Sequence, residues 1–248
     1  MINSPVVIEG TNLSDAWCTT VKKIVDCPGK EITPLVVSLS GFEENEKVRS
    51  VLENSLERDN YNSVTTVAET IFPDSLYKYL DEDRSLLYDE YSNNLKRIKK
   101  IDSSNRNGTY FSRLISYGDN EDINQLETII TSLKHDDAVR RSKLQASIFD
   151  PSKDHTNSRY QGFPCLQHVT VYKTVDNEIV LNSFYAIQLL YKKAYGNWLG
   201  LINLGKFIAN ETGRNLNRVN CFIGVQQLDI SKKLASELLG ASGVELNQ

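Results

Sequence analysis

The sequence predicts an α+β protein built on a mixed sheet, and three patterns carry that prediction. Short β-branched runs bounded by proline or glycine, at residues 5–9 and 32–39, read as strands. Residues 143–149 alternate apolar and polar side chains, as a half-buried strand does. Stretches with apolar residues at helical spacing lie among these runs, and one of them, 197–212, is apolar on nearly every face. A helix of that kind belongs in the middle of a fold.

Taken in order, residues 14–26 form a helix with Trp17, Val21, Ile24 and Val25 on one face and Ser14 as the expected N-cap. Residues 43–58 form a charged amphipathic helix whose stripe is Val48, Val51, Leu52 and Leu56. Residues 64–72 are apolar and β-branched up to Pro73, with one carboxylate, Glu69, inside the run. Glutamate is seldom fully buried without a partner, so Glu69 either points to water or has a role. Residues 75–100 read as helix, in one piece or two, and Asp102–Gly108 as a loop. A helix follows over 122–135, then Asp136 and Asp137 ahead of the pair Arg140–Arg141. Asp150–Tyr160 is a polar loop holding His155. Strands over 166–173 and 179–187 flank a turn at Asp176–Asn177. Gly213 stops the apolar helix, and a strand over 219–225 and a short helix over 231–239 finish the chain.

At 248 residues, 40% hydrophobic and 24% charged, the chain is expected to fold as one domain spanning 1–248 with a sizeable core. A net charge of −4 argues against a broad polyanion-binding surface, so nucleic acid is not an expected partner. No run approaches the ~18 apolar residues of a membrane span, and no signal peptide is evident. The cysteines, Cys18, Cys27, Cys165 and Cys221, show no zinc-type spacing, so no metal is expected, and free thiols in a reducing cytoplasm are.

Cys165 follows Gly162, Phe163 and Pro164 and opens an alternating strand, a plausible seat for a nucleophile. In a regular strand it shares a face with Gln167 and Val169, while His168 points the other way. A Cys–His pair needs hydrogen-bond reach, so His168 is not expected to activate it; His155 could reach it from the loop. No glycine-rich phosphate loop is present.

Several of these pieces, in their order, resemble thymidylate synthase. They are Glu69 in Ala68–Phe72, Tyr110 after Gly108–Thr109, the helix beginning Asn124–Gln125–Leu126, Arg140–Arg141, Pro164–Cys165, and the buried helix opening at Asn197. The resemblance covers roughly residues 64–230 and implies a thymidylate-synthase-like fold, a mixed twisted sheet packed with helices around one central buried helix. It implies a one-carbon transferase in which Cys165 adds to C6 of a pyrimidine ring and activates C5. Glu69 and Tyr110 would manage protons, and Asn197 and Gln167 would bind the substrate. Methylenetetrahydrofolate would be the one-carbon donor. Arg140 and Arg141 would reach across a homodimer interface to the partner's substrate phosphate.

The departures lie in the nucleotide grip. Where the family has Arg-Ser and then Asp, this chain reads Tyr185, Ala186, Ile187, Gln188, Leu189. Leu166 replaces the family's histidine after Pro-Cys, and Phe222–Ile223–Gly224 replaces His-x-Tyr. Each charged hydrogen bond lost to a phosphate is worth about 1.5–3 kcal/mol, so deoxyuridine monophosphate is not expected to bind in the family's usual way. The alternatives on the same fold are a pyrimidine nucleotide N-glycosidase using Glu69 and a non-catalytic binding or structural dimer.

Overall fold

Parallel and antiparallel pairing are mixed in one open seven-stranded sheet. The computed structural model describes residues 4–102, 105–118, 122–135, 138–159 and 162–243. The strands are β1 (Val6–Gly10), β2 (Glu31–Ile32), β3 (Leu35–Leu39), β4 (Gln145–Ser147), β5 (Leu166–Lys173), β6 (Ile179–Leu189) and β7 (Leu216–Gln227). They lie in the order β1-β3-β7-β6-β5-β4, with β2 paired to the end of β7. β1–β3 and β6–β7 are parallel; β3–β7, β5–β6 and β4–β5 are antiparallel. The helices are α1 (Leu13–Asp26), α2 (Glu46–Arg58), α3 (Val64–Glu69), α4 (Asp74–Tyr79), α5 (Arg84–Ile101), α6 (Tyr110–Ile115), α7 (Gln125–His135), α8 (Pro151–Asp154), α9 (Tyr195–Glu211) and α10 (Lys232–Ser242). The fold is thus a mixed sheet packed with helices, as the α+β reading expects. Asp136, Asp137, Ser103, Ser104, Tyr160 and Gln161 lie outside the described residues.

α9 is the buried helix. Trp198, Leu201, Leu204, Phe207 and Ile208 are all enclosed, and the helix packs on β6, β7, α1 and α3. Two glycines let α3 approach it. A Cβ on Gly196 would lie 2.8 Å from the Val64 carbonyl oxygen, and one on Gly200 would lie 2.7 Å from that of Ala68. Gly213, at φ +66°, ends the helix in the left-handed conformation. A π-helical turn, Leu190–Ala194, leads into α9 and was not foreseen from periodicity.

Two local expectations are corrected, for the α1 cap and for β5, and the run 64–72 gains an assignment. Asn12, not Ser14, caps α1; its Oδ1 accepts from the Ser14 and Asp15 amides at 2.8 and 3.2 Å. Ser14 is buried instead, its Oγ bonded to the Tyr195 hydroxyl at 2.7 Å and accepting from the Asn45 amide at 2.8 Å. The β-branched run 64–72 starts as a helix because the Ser63 hydroxyl accepts from the Thr66 amide and caps it. In β5 the regular alternation is interrupted: Leu166 pairs Tyr185 while His168 pairs Phe184, leaving Gln167 as an extra residue. That bulge puts Leu166 and Val169 both in the core and removes the basis for setting Cys165 on the face of Gln167 and Val169.

One face of the sheet is covered by helices. On the other, register aligns Val7, Val36, Phe222, Phe184, His168 and Ser147 in a row across six strands. Val7 is 60% and Phe184 47% exposed, and the Phe184 and Phe222 rings stack at 4.4 Å. The next row is polar. Asn182 donates to Thr170, Asn220 to Asn182, Ser38 to Asn220 and Arg218 to Ser38, at 3.2, 2.8, 2.8 and 2.8 Å.

Candidate active site

Cys165 stands at the entrance to β5, after a cis Phe163–Pro164 bond, and its carbonyl accepts from the Ala186 amide at 3.1 Å. α6 holds this approach. The Tyr110 ring stacks on Phe163, with centroids 5.3 Å and planes 26° apart. The Arg113 guanidinium, one turn along, lies 5.5 Å from the Phe163 ring centroid. Arg113 is itself buried and tied down. It donates to Asp154 at 2.7 Å and sits 3.9 Å from Asp150, whose Oδ1 caps α8 through the Ser152 amide.

A cavity of about 330 Å³ opens beside the thiol. Tyr110 from α6, Cys165, Gln188 from β6, Lys193 from the π-helical turn and Asn197 from α9 line it, with Thr70 after α3 on one side. Burial and charge differ sharply among these groups. Gln188 is 2% exposed, and neither its amide nitrogen nor its amide oxygen has a hydrogen-bond partner. Asn197, also buried, bonds no other described residue through its side chain. A buried polar group without a partner costs about 1–3 kcal/mol, and the Gln188 carboxamide is such a group in a residue that lines the cavity.

Burial pushes the Cys165 thiol above its ordinary pKa, and the Lys193 charge opposes that shift. Burial pulls Lys193 below the usual lysine range, opposed by the charges of Asp102 and Cys165. The Tyr110 phenol is held well above its ordinary value, first by burial and then by the thiol's charge, against the backbone amides of Leu166 and Cys165. At neutral pH the resting site therefore holds a protonated thiol and a protonated phenol. The other three cysteines are buried outright, and burial raises the Cys18 and Cys221 thiols to about 12. Cys165 is the half-buried thiol of the four.

Of the residues singled out in the sequence, Cys165, Tyr110 and Asn197 line this cavity. Glu69 does not. It ends α3 and lines an adjoining cavity of about 410 Å³ that shares Thr70, Asn105 and Thr109 with the first. Its Oε1 accepts from the Ser75 amide and hydroxyl at 3.0 and 2.8 Å, capping α4, whose own N-cap residue, Pro73, has no side-chain bond to give. Burial raises the Glu69 carboxyl above its ordinary pKa, and the Ser75 bonds oppose that. Gln167 is half-buried at the bulge; its carbonyl takes the Ile148 and Phe149 amides, and it does not line the cavity. Arg140 lines a separate surface hollow with His135 and Lys143. Arg141 lies over the Tyr172 ring at 5.6 Å, on the open face of the sheet. His155 packs edge-on against Phe149 at 5.0 Å.

No protein-family model matches the chain, and no curated protein matches it either.

Gln188 and Lys193 were not picked out from the sequence. The one signal they gave was the pair Lys192–Lys193 in an otherwise apolar run entering a buried helix. Among the described residues no group of three or more metal-ligating side chains occurs. What the cavity does assemble is a nucleophile-capable thiol, a lysine, a phenol and the carboxamide residues Gln188 and Asn197, with Asn62 and Asn105 also in its lining. A carboxamide offers a donor beside an acceptor and so matches the C=O/N–H edge of a lactam ring.

Proposed function

We propose that the chain is a thymidylate-synthase-like one-carbon transferase acting on C5 of a pyrimidine nucleotide or related ring through a Cys165 adduct. The observation that carries the reading is convergence. Cys165, Tyr110 and Asn197 come from three distant parts of the sequence, and the resemblance gives each of them a role at one site. The mixed sheet around a buried helix opening near Asn197 is compatible with the same ancestry.

In this reading the Cys165 sulfur, once deprotonated, adds to C6 of the ring. A C–S bond forms, and the electron pair of the C5–C6 double bond moves toward the C4 carbonyl. Asn197 and Gln188 donate to that carbonyl and accept from the neighbouring ring N–H, stabilising the charge as it develops. C5 is then nucleophilic and would form a C–C bond to the one-carbon unit, whose C–N bond to the donor would break, and the Tyr110 hydroxyl supports loss of the C5 proton. Expulsion of the sulfur returns the thiolate.

Methylenetetrahydrofolate would supply the one-carbon unit. The second cavity, walled by Leu76, Tyr91 and Ile98 and continuous with the first at Thr70 and Thr109, offers an apolar surface for its ring system. Glu69 faces that cavity, and its raised pKa suits exchange of protons through water there. The phosphate contacts would come from a second copy. Pairing two chains through the open sheet face, with Phe184 and Phe222 at its centre, would bring Arg141 and Arg140 of one protomer toward the partner's site.

The test is intact-mass analysis after incubation with 5-fluoropyrimidine nucleosides and nucleotides, with and without methylenetetrahydrofolate. A covalent adduct on the wild type that is lost in Cys165→Ala is expected. No adduct with any member of the panel would overturn the reading.

A further inference from the structure

We propose that Lys193 supplies the positive charge that sustains the Cys165 thiolate, so that the two act as a thiolate–ammonium pair within the cavity. The inference rests on Cys165 being the nucleophile of the proposed reaction, but its test needs no turnover.

Lys193 is the one basic side chain among the described residues that line the cavity, which include no arginine and no histidine. The stretch of β6 that in thymidylate synthases carries Arg-Ser and then Asp holds Gln188 here, and Lys193 follows five residues later. Lys193 makes no hydrogen bond or ion pair with another described residue, and the charge of Asp102, at the end of α5, acts on it without such a contact. Its neighbour Lys192 is engaged elsewhere, 4.2 Å over the Tyr61 ring. The π-helical turn that holds both lysines directs one to Tyr61 and the other to the cavity.

A second, independent observation marks the place as a ligand site. Gln188, a residue of the same lining, has a buried carboxamide with neither donor nor acceptor satisfied. A thiol beside a lysine and an unpartnered amide is an arrangement with a use for an electrophilic ring bearing a lactam edge.

The pair also makes electrostatic sense. Moving the proton from Sγ to Nζ turns a thiol and an amine into a thiolate and an ammonium without changing the net charge of the cavity. The groups around them act in both directions. Burial raises the phenols of Tyr110 from α6 and Tyr185 from β6, and neither is charged at neutral pH. Asp102, at the end of α5, favours the ammonium, and Lys192 opposes it. Lys193 is the charged group that favours the thiolate.

The experiment is alkylation of the full chain by iodoacetamide across a pH series, followed by intact mass and mapped to Cys165 by comparison with Cys165→Ala. Lys193→Met is expected to move the midpoint of the rate profile to higher pH by about one unit, slowing alkylation at neutral pH about tenfold. Lys193→Arg, which keeps the charge, is expected to restore most of it. Lys193→Gln serves as the second charge-removing variant should methionine disturb folding. Reading the midpoint rather than the rate separates charge from access. An unmoved midpoint in the neutral variants, or an equal shift in Lys193→Arg, would overturn the pairing. If the midpoint shifts as expected but no fluoropyrimidine adduct forms, the pair stands and the reaction reading falls. If adducts form and the midpoint does not move, the reverse holds.

Discussion

The same substitution, glycine to alanine, should have opposite signs at two helical positions, and the difference can be worked from geometry. In a helix interior alanine is favoured over glycine by about 0.8–1.0 kcal/mol, because glycine gives up more backbone freedom on folding. Gly240, on the exposed side of α10, has no heavy atom within 4 Å of the place an added methyl group would occupy, so Gly240→Ala should gain up to that amount. Gly200 differs. A Cβ there would sit 2.7 Å from the Ala68 carbonyl oxygen and 2.9 Å from the Ile71 Cβ. A backbone oxygen cannot rotate out of the way, so α3 and the turn after it must move off α9. Overpacking of this kind typically costs about 1–3 kcal/mol, and a clash with backbone belongs in the upper part of that range. After the propensity gain, Gly200→Ala should destabilise the protein by about 1–2 kcal/mol.

Urea unfolding with a shared slope measures both variants directly, and a thermal melt should show a loss of about 2–4 °C per kcal/mol for a chain of this size. The displacement should also reach the site, since Val67 and Thr70 line the cavity from the α3 side. Gly205→Ala is the intermediate case. Its nearest neighbour is the Leu216 side chain at 2.8 Å, which can change rotamer, so the cost should be smaller than at Gly200. If Gly200→Ala is as stable as the wild type while Gly240→Ala is stabilised, close approach of α3 is not what the glycine provides, and the packing argument is wrong.

Two further outcomes follow from the cavity and the sheet. Gln188→Leu removes two buried polar atoms that have no partner, so the free protein should be unchanged or more stable by about 1 kcal/mol, and under the proposed function the thermal shift expected from a pyrimidine ligand should disappear; a large loss of stability would mean the amide is satisfied in the fold. Phe184→Glu puts a charge at the centre of the open sheet face; under the proposed pairing, light scattering should report a dimer for the wild type and a monomer for the variant, with unchanged far-ultraviolet circular dichroism, and the same oligomeric state in both would exclude that face as the interface.

The parts of the fold that were legible in the sequence are those fixed by local periodicity. Leu144, Ala146 and Ile148 alternate with polar residues and are all buried, and the apolar segment beginning near Asn197 is the buried helix. Asn177, at φ +63°, makes the turn that its residue type favours. What escaped was set by contacts made at a distance. The bulge at Gln167 arises from pairing between β5 and β6, and no property of residues 165–169 alone announces it. Ser14 looks like a cap but is taken by Tyr195, 181 residues away. The site divides in the same way. Cys165, Tyr110 and Asn197 came to notice through resemblance and residue type. Gln188 matters because its amide has no hydrogen-bond partner among the described residues, and Lys193 because it lines the cavity with Cys165; both are properties of three dimensions only.

On the proposed reading the β6 stretch exchanges functions: a thymidylate synthase would carry an arginine beside the thiol and an aspartate at the ring edge, and here Lys193 and Gln188 line the cavity with Cys165. The two sets are not equivalent. Arginine stays charged in any protein environment, whereas a half-buried lysine can shed its proton. Burial lowers Lys193 and raises Cys165, so both shifts favour the neutral pair in the open site. A bound ring that excludes water lowers the local dielectric and strengthens the attraction within a charged pair, since Coulomb energy scales inversely with dielectric constant. It also removes solvation from both charges, which works the other way. The pair is favoured on binding only if the ring supplies hydrogen bonds and a place for the sulfur's electrons to go. That condition ties formation of the nucleophile to arrival of an electrophile with a lactam edge, and leaves the thiol protonated and quiet until then.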